Sequence, residues 1–250
     1  MSIKPILTIV TIVYNHANGF KATAKSIENN KNNLVEWVVV DGLSTDGTIE
    51  IIKDYQNCIN TYISEKDKGI ADAFNKGIKL ANGQFLLFLN AGDLLNINIE
   101  KITSFLNLNR SVPCVIGKIK MGNKIYGRAI PFWRQYMRNH LPHQAMFINK
   151  NMFEKYGCYD IKRRLGMDYE WSLRLKNEWS DILFISDIIS IMEPGGVSVS
   201  NPLKTFKHYH NARVEHYGLF LFSLIILMFY YFKIIVLRKI KNILIKINGG

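Results

Sequence analysis

From residue 6 to residue 93 the chain repeats one unit: an apolar run with an abrupt polar stop, followed by a stretch of helical periodicity. The runs are "ILTIVTIVYN" (6–15), "VEWVVVDG" (35–42), the weaker "INTYISE" (59–65) and "QFLLFLNAGD" (84–93). Their continuous apolar character, rich in β-branched residues, fits strands covered on both faces. Between them, Phe20, Ala24 and Ile27 fall on one face of a first helix, and Ile49, Ile52 and Tyr55 on one face of a second. The third helix turns Ile70, Phe74, Ile78 and Ala81 inward and stops at Gly83. Such alternation predicts an α/β fold, a doubly wound and mostly parallel sheet flanked by helices. Sites in such sheets gather at the carboxyl ends of the strands. Those ends read Tyr14-Asn15, Asp41, Glu65-Lys66-Asp67 and Asn90-Ala91-Gly92-Asp93. Each alone is an ordinary turn; four polar ends on one rim predict a pocket.

Past residue 100 the pattern loosens. A helix near "NIEKITSFLNLN", a strand "VPCVIGKIKM" and a hairpin through Gly122-Asn123 come first. "FWRQYMRNHLPHQAMFINKNMFEKYG" and "MDYEWSLRLKNE" read as mostly helical, and "DILFISDIIS" as a further strand. No repeat or low-complexity linker divides the chain, so residues 1–205 are expected to form one unit. The net charge of +12 is unevenly placed: residues 1–100 carry 9 Lys/Arg against 11 Asp/Glu, and residues 101–250 carry 23 against 9. No zinc-finger spacing, RGG-like segment or basic recognition helix accompanies the excess, so no nucleic-acid partner is expected. Anionic lipid or phosphorylated substrates suit it better. Cys58, Cys114 and Cys158 lack paired spacing and read as reduced thiols, not a disulfide frame or zinc site. The short β-branched run near the N-terminus is a strand and not a signal peptide.

In order, "TIVTIVYN", "VVVDGLSTDGT", "DKGIADAFNKGIKLANG", "FLLFLNAGD", "PHQAMF" and "GMDYEWSLRL" resemble the family 2 glycosyltransferases of GT-A fold. Within them the set is similar to the bacterial polysaccharide branch that includes the colanic-acid-type enzymes. The resemblance spans roughly residues 4–200, and its force lies in the combination of pieces. It implies an enzyme that binds a nucleotide-diphosphate sugar at the strand rim, with uridine the commonest base, and inverts the anomeric carbon in one displacement. It places Asp41 against the nucleobase, where two acceptor oxygens suit an N–H-bearing edge; a turn residue before Gly42 is the alternative. The backbone around Thr11, Val13 and Tyr14 would line base and ribose. Asp67 and Asp72 would lie on the ribose and phosphate side, although Asp72 serves equally as a solvated helix residue.

The family's strand end bears an acidic cluster that holds Mg²⁺ or Mn²⁺ on the diphosphate. Here those positions read Asn90, Gly92 and Asp93, so Asp93 is the implied metal ligand. A hard cation needs few protein ligands when phosphates and water supply the rest, and the small Ala91 and Gly92 let a diphosphate approach the backbone. Asp168 matches the general base that removes the acceptor's proton; a bare carboxylate is ionised at neutral pH. Glu170, two residues on, points about 200° away in a helix and is the poorer candidate. Arg174 is expected to pair with Glu170 at the i, i+4 spacing, a phosphate contact being the alternative. His143 and Gln144 would meet acceptor or diphosphate, a buried core histidine being the alternative. "EPGGVSVSN" (193–201) resembles a segment that closes over donor, or is a plain Gly-Gly turn.

The tail "YGLFLFSLIILMFYYFKIIVLRKIKNILIK" (217–246) differs from all that precedes it. Tyr217 to Phe232 carries no charge; with Lys233 snorkelling the run reaches Leu237, about 30 Å as helix. Cations flank both ends, which disfavours a single span. Residues 206–250 are therefore expected to be a helical tail lying in the cytoplasmic face of the inner membrane, peripheral or monotopic, drawn by anionic lipid. A spanning helix and a helix packed on the catalytic unit are the alternatives. The acceptor would then be a lipid-linked glycan of the bacterial cell surface. His208, His210 and His216 lack partners at metal-site spacing and read as surface or membrane-facing residues. Two other function classes compete: a nucleotidyltransferase, for which "YNHANGFKATAK" lacks the Gly/Arg/Lys density, and a degenerate glycan-binding scaffold.

Overall fold

β1 (Leu7–Val13) and β2 (Val35–Asp41) are buried along almost their whole length, as continuous apolar runs require. In the computed structural model, which describes residues 4–30, 32–193, 201–218 and 220–248, they pair in parallel from Leu7↔Val35 to Val13↔Asp41. β3 (Thr61–Ser64) adds to the far side of β2, and β4 (Phe85–Phe88) to the far side of β1, both parallel. The crossovers run through α1 (Ala17–Glu28), α2 (Thr48–Asp54) and α3 (Ile70–Leu80). β4 shows why both faces are apolar: Phe85 and Leu87 enter one core with Phe20, Trp37 and Leu106, while Leu86 and Phe88 enter the other with Phe74, Phe153 and Trp171. α3 sits so close to β1 that a Cβ on Gly77 would stand 2.3 Å from Val10 Cγ1.

Beyond β4 the sheet is mixed. β5 (Leu94–Leu95), α4 (Ile99–Leu108), β6 (Cys114–Met121) and β7 (Lys124–Tyr126) follow, the last two closing the expected hairpin. Next come α5 (Phe132–Met137), a 3₁₀ turn at His143–Ala145, β8 (Met146–Asn149), α6 (Asn151–Tyr156), α7 (Met167–Arg174) and β9 (Leu183–Met192). The strand order is β3-β2-β1-β4-β8-β6-β9-β5, with β7 beside β6. The α/β class with flanking helices holds; parallel pairing holds through β4.

Two expectations are corrected. The segment expected to be mostly helical over 132–157 contains β8, which lies between β4 and β6 and is antiparallel to both. Four residues flanked by short helices carry too little period to reveal a strand. Ile70, expected inward, is 43% exposed because it is the first residue of α3, beyond the edge of the sheet it covers.

α8 (Pro202–Tyr217) packs on α7, with the Tyr169 and Tyr209 rings 4.2 Å apart. α9 (Phe220–Asn248) packs on α8 through Phe206 and Tyr230, whose rings stack at 4.2 Å. The fully buried Arg213 of α8 joins four elements. It donates to Ser223 Oγ of α9, the Met137 carbonyl of α5 and Tyr169 Oη of α7. His210 is buried against Ser223 and so is not the surface residue expected, while His216, partly exposed, meets Glu170. α9 buries only a narrow stripe that includes Ser223 and Ile226; Leu221, Ile225, Met228, Phe229 and Phe232 are exposed. Phe220–Leu237, with mean hydropathy 2.4, is long and apolar enough to cross a membrane.

Candidate functional site

The carboxyl ends of β1, β2, β3 and β4 are stitched together by main-chain bonds. Gly42 N donates to the Val13 carbonyl, Ala91 N to that of Ile12, and Glu65 N to that of Asp41. β8 runs the other way, so its amino end, preceded by His143 and Gln144, arrives at the same rim. The His143 ring stacks on Phe88 at 4.9 Å and hydrogen-bonds Tyr159 Oη at 2.8 Å. Burial pushes this imidazole below its ordinary value, against the pull of Asp168. The strand-end polar groups and the His143 turn thus share one end of the sheet, and Asp168 of α7 lies near enough to act on the His143 charge.

Asp41 is fully buried. Its carboxylate accepts from Leu43 N, Ser44 N and Ser64 Oγ, the last at 2.6 Å. It therefore holds its own turn, with Ser64 Oγ as its side-chain donor among the described residues. Thr11 is also fully buried, with Oγ1 accepting from Trp37 Nε1. Val13 is buried, and Tyr14 is 66% exposed over Gly42. Asp67 lies against the same glycine, 2.9 Å from where a Cβ would stand. Burial raises the Asp67 carboxyl, opposed by Lys76, whose Nζ lies 2.7 Å from Asp67, 2.9 Å from Glu65 and 3.7 Å from Asp72. Asp72 thus belongs to an ion cluster. Within "DGLSTDGT", Asp46 accepts from Ala17 N and from Thr48 N and Oγ1, tying together the first residues of α1 and α2.

At the end of β4, Thr23 of α1 pins the turn, donating from Oγ1 to the Asp93 carbonyl at 2.8 Å and accepting from Gly92 N at 3.0 Å. Gly92 has φ +98°, where glycine is favoured, and a Cβ there would stand 2.6 Å from Glu193 Oε2 and 3.1 Å from His16. The Asp93 carboxylate is 5% exposed. Burial pushes it up to about 7, although the backbone N–H groups of Glu193 and Asn90 act to lower it. Asn90 Oδ1 is buried with no hydrogen-bond partner. An orphaned acceptor beside a desolvated carboxylate fits a hard divalent cation that takes its remaining ligands from phosphate and water. Among the described residues, no three His, Cys, Asp or Glu side chains form a complete cage.

On the other flank, Asp168 Oδ2 accepts from Asn139 Nδ2 at 2.7 Å. Glu170 instead forms a bidentate pair with Arg174, at 2.7 and 2.9 Å, and meets His216. Burial alone would raise the Glu170 carboxyl, but His216 and Arg174 outweigh it and hold it at about 2. Gln144 is half-buried, and its carbonyl accepts from Ser190 Oγ. Gly195 and Gly196 lie outside the described residues. His16, Glu193 and Asn139 border the rim without a sequence signal of their own, save that His16 follows the end of β1. Two cavities of about 670 and 710 Å³ lie elsewhere, one at the amino ends of the strands by Gly83 and Lys150, the other beside Asn29 and Asn98. Neither contains a rim carboxylate.

Against known proteins, the profile described as "Glycosyl transferase family 2" matches residues 8–164. A PGL/p-HBAD biosynthesis glycosyltransferase from Mycobacterium bovis is 29% identical over 177 residues, covering 68% of this chain and 69% of the relative. Among solved structures, S. aureus TarS 1–349 in complex with UDP-GlcNAc superposes with TM-score 0.64 at 18% identity, covering 88% of this chain and 70% of that one. Of a longer TarS chain this protein spans only 39%. A mannosyltransferase from Pyrobaculum calidifontis, in complex with GDP-Man and Mn²⁺, superposes with TM-score 0.63 at 16% identity, covering 84% of this chain and 63% of that one. At these identities the solved structures speak for the fold.

Proposed function

This chain belongs to glycosyl transferase family 2, and from that premise we propose that it moves a sugar from a nucleotide-diphosphate donor, a UDP-sugar, to a hydroxyl of a lipid-linked cell-surface glycan, with inversion. The observation that supports the reading is the row of polar strand ends from Asp67 to Asp93 with the His143 turn at the same end of the sheet. The base and ribose lie along the backbone of Thr11, Val13 and Tyr14, with Asp67 and Asp72 near ribose and phosphate. A base N–H replaces Ser64 Oγ on Asp41. The diphosphate lies over Ala91 and Gly92, where the absence of larger side chains admits it. Asn90 and Asp93 would hold a Mg²⁺ or Mn²⁺ ion, which neutralises charge on the leaving diphosphate when bound. Asp168 takes the proton from the acceptor hydroxyl as that oxygen attacks the anomeric carbon from the face opposite the leaving group. His143, neutral by burial, and Gln144 orient acceptor or diphosphate.

Residues 1–205 act as the catalytic unit and 206–250 as its membrane-associating tail, with α9 lying in the cytoplasmic face of the inner membrane. The exposed apolar residues of α9 and the cationic second part of the chain support that placement. The test is a melting-temperature panel of UDP-, GDP- and dTDP-sugars with and without Mn²⁺, since a ligand of the folded state alone raises the midpoint. A rise with a UDP-sugar that Mn²⁺ enlarges is expected. No rise with any nucleotide sugar would remove the donor assignment, and a rise indifferent to Mn²⁺ would remove the metal.

A further inference from the structure

Asp168 stands at the end of a polarised chain of amides. Gln135 of α5 is fully buried. Its Oε1 accepts from His140 N at 2.8 Å, and a backbone N–H can only donate, so its Nε2 must face the other way. Nε2 donates to Ser172 Oγ at 2.7 Å and to Asn139 Oδ1 at 2.9 Å. Ser172 Oγ in turn donates to the Tyr169 carbonyl at 2.6 Å. Asn139 Oδ1 also accepts from Leu141 N at 3.2 Å. Two donors on one oxygen fix the Asn139 amide, and its Nδ2 is left pointing at Asp168 Oδ2 at 2.7 Å. Neither amide can flip without setting oxygen against oxygen. The chain ends in a donor held on one carboxylate oxygen.

We infer that Asn139 is a positioning residue for Asp168, oriented by Gln135: it occupies Oδ2 and presents Oδ1 as the oxygen that receives the acceptor's proton. The inference rests on the proposed role of Asp168. The bond that forms is Oδ1–H and the bond that breaks is the acceptor O–H, whose electron pair goes to the anomeric carbon as the nucleoside diphosphate leaves. A carboxylate free to rotate would present either oxygen at varying distance, and small misplacement is costly in a proton transfer coupled to attack. Asn139 comes from the segment after α5, Asp168 from α7, and their union requires both to pack on one core.

The test uses the full chain and the nucleotide sugar giving the largest rise in melting temperature, with nucleoside diphosphate release followed against pH. Asn139→Ala should lower kcat about 10- to 100-fold with the donor KM unchanged. The isosteric Asn139→Asp sets a carboxylate on Oδ2 and should move the acid limb of kcat/KM to higher pH, because like charge disfavours ionisation. The other groups facing Asp168 are His143 from the 3₁₀ turn, Tyr159 from the segment before α7 and Tyr209 from α8, with Arg138 beside Tyr209. All are left in place. Wild-type kcat and an unmoved acid limb in both variants, with Asp168→Asn inactive, would overturn the inference and leave the base assignment standing. Activity retained in Asp168→Asn would remove the base assignment and the inference with it. Should Asn139→Ala fail to fold, the acid limb of Asn139→Asp decides.

Discussion

Along β1–β4 the rim carboxylates are met by backbone N–H groups, by a hydroxyl or by Lys76: Asp41 by Leu43 and Ser44, Asp93 by Glu193 and Asn90, Asp67 by Lys76. Across the rim, Asp168 is met by a side-chain amide that is itself held by another. Backbone donors come with the fold and survive most substitutions. An amide relay exists only while two particular residues are present. Under the proposed function, a donor flank held largely by main-chain groups is paired with an acceptor flank built from replaceable side chains.

The largest effect should come from the replaceable flank. Asp168→Asn is expected to reduce transfer by about 10²–10⁴-fold while the melting temperature and the donor-induced rise stay close to wild type; a parallel loss of donor binding would blur the division between flanks. Next is Glu170→Gln. Because Glu170 sits at about 2 in the fold against an ordinary 4.5, its contribution is present above pH 4.5 and lost as pH falls toward 2. The variant should be about 2–3 kcal/mol less stable near neutrality, with the two urea-unfolding curves converging at low pH. Persistence of the gap at pH 2 would point to packing instead of charge. On the donor flank, Thr23→Val should cost about 1–2 kcal/mol by leaving Gly92 N and the Asp93 carbonyl unpaired. It should weaken donor affinity more than kcat, as read by isothermal titration. Smallest is Gly92→Ala, about 1 kcal/mol for the positive φ, with the donor-dependent rise in melting temperature reduced as Glu193 is pushed aside.

The same contrast governs what could be read from the sequence. The strands β1, β2 and β4 announce themselves because both faces are buried, and Val38-Val39-Val40 or Phe85-Leu86-Leu87-Phe88 admit little else. Their polar ends then mark the rim. β8 is hidden because "MFIN" is four residues among helical neighbours, and only pairing with β4 and β6 makes it a strand. Asn139 carries no local signal: it lies 29 residues from Asp168, and their contact depends on α5 and α7 sharing a core. Glu193 comes beside Gly92 only through the course of β9. His210 is hidden for the same reason, since whether it faces water is decided by α9 and not by α8. Periodicity reports which face is covered, and it is silent on what covers it.

Among the described residues Arg213 makes no ion pair with an acid; its guanidinium meets the Ser223 hydroxyl, two carbonyls, the Tyr169 phenol and the face of the Tyr136 ring. Cutting the polypeptide ahead of Phe220 to obtain a water-soluble preparation would take away Ser223 and open this cation to solvent, next to the very strut from which Gln135 hangs. Such a fragment is therefore expected to lose turnover as well as solubility-limiting surface, because the apolar helix also seals the ground on which the proposed chemistry stands.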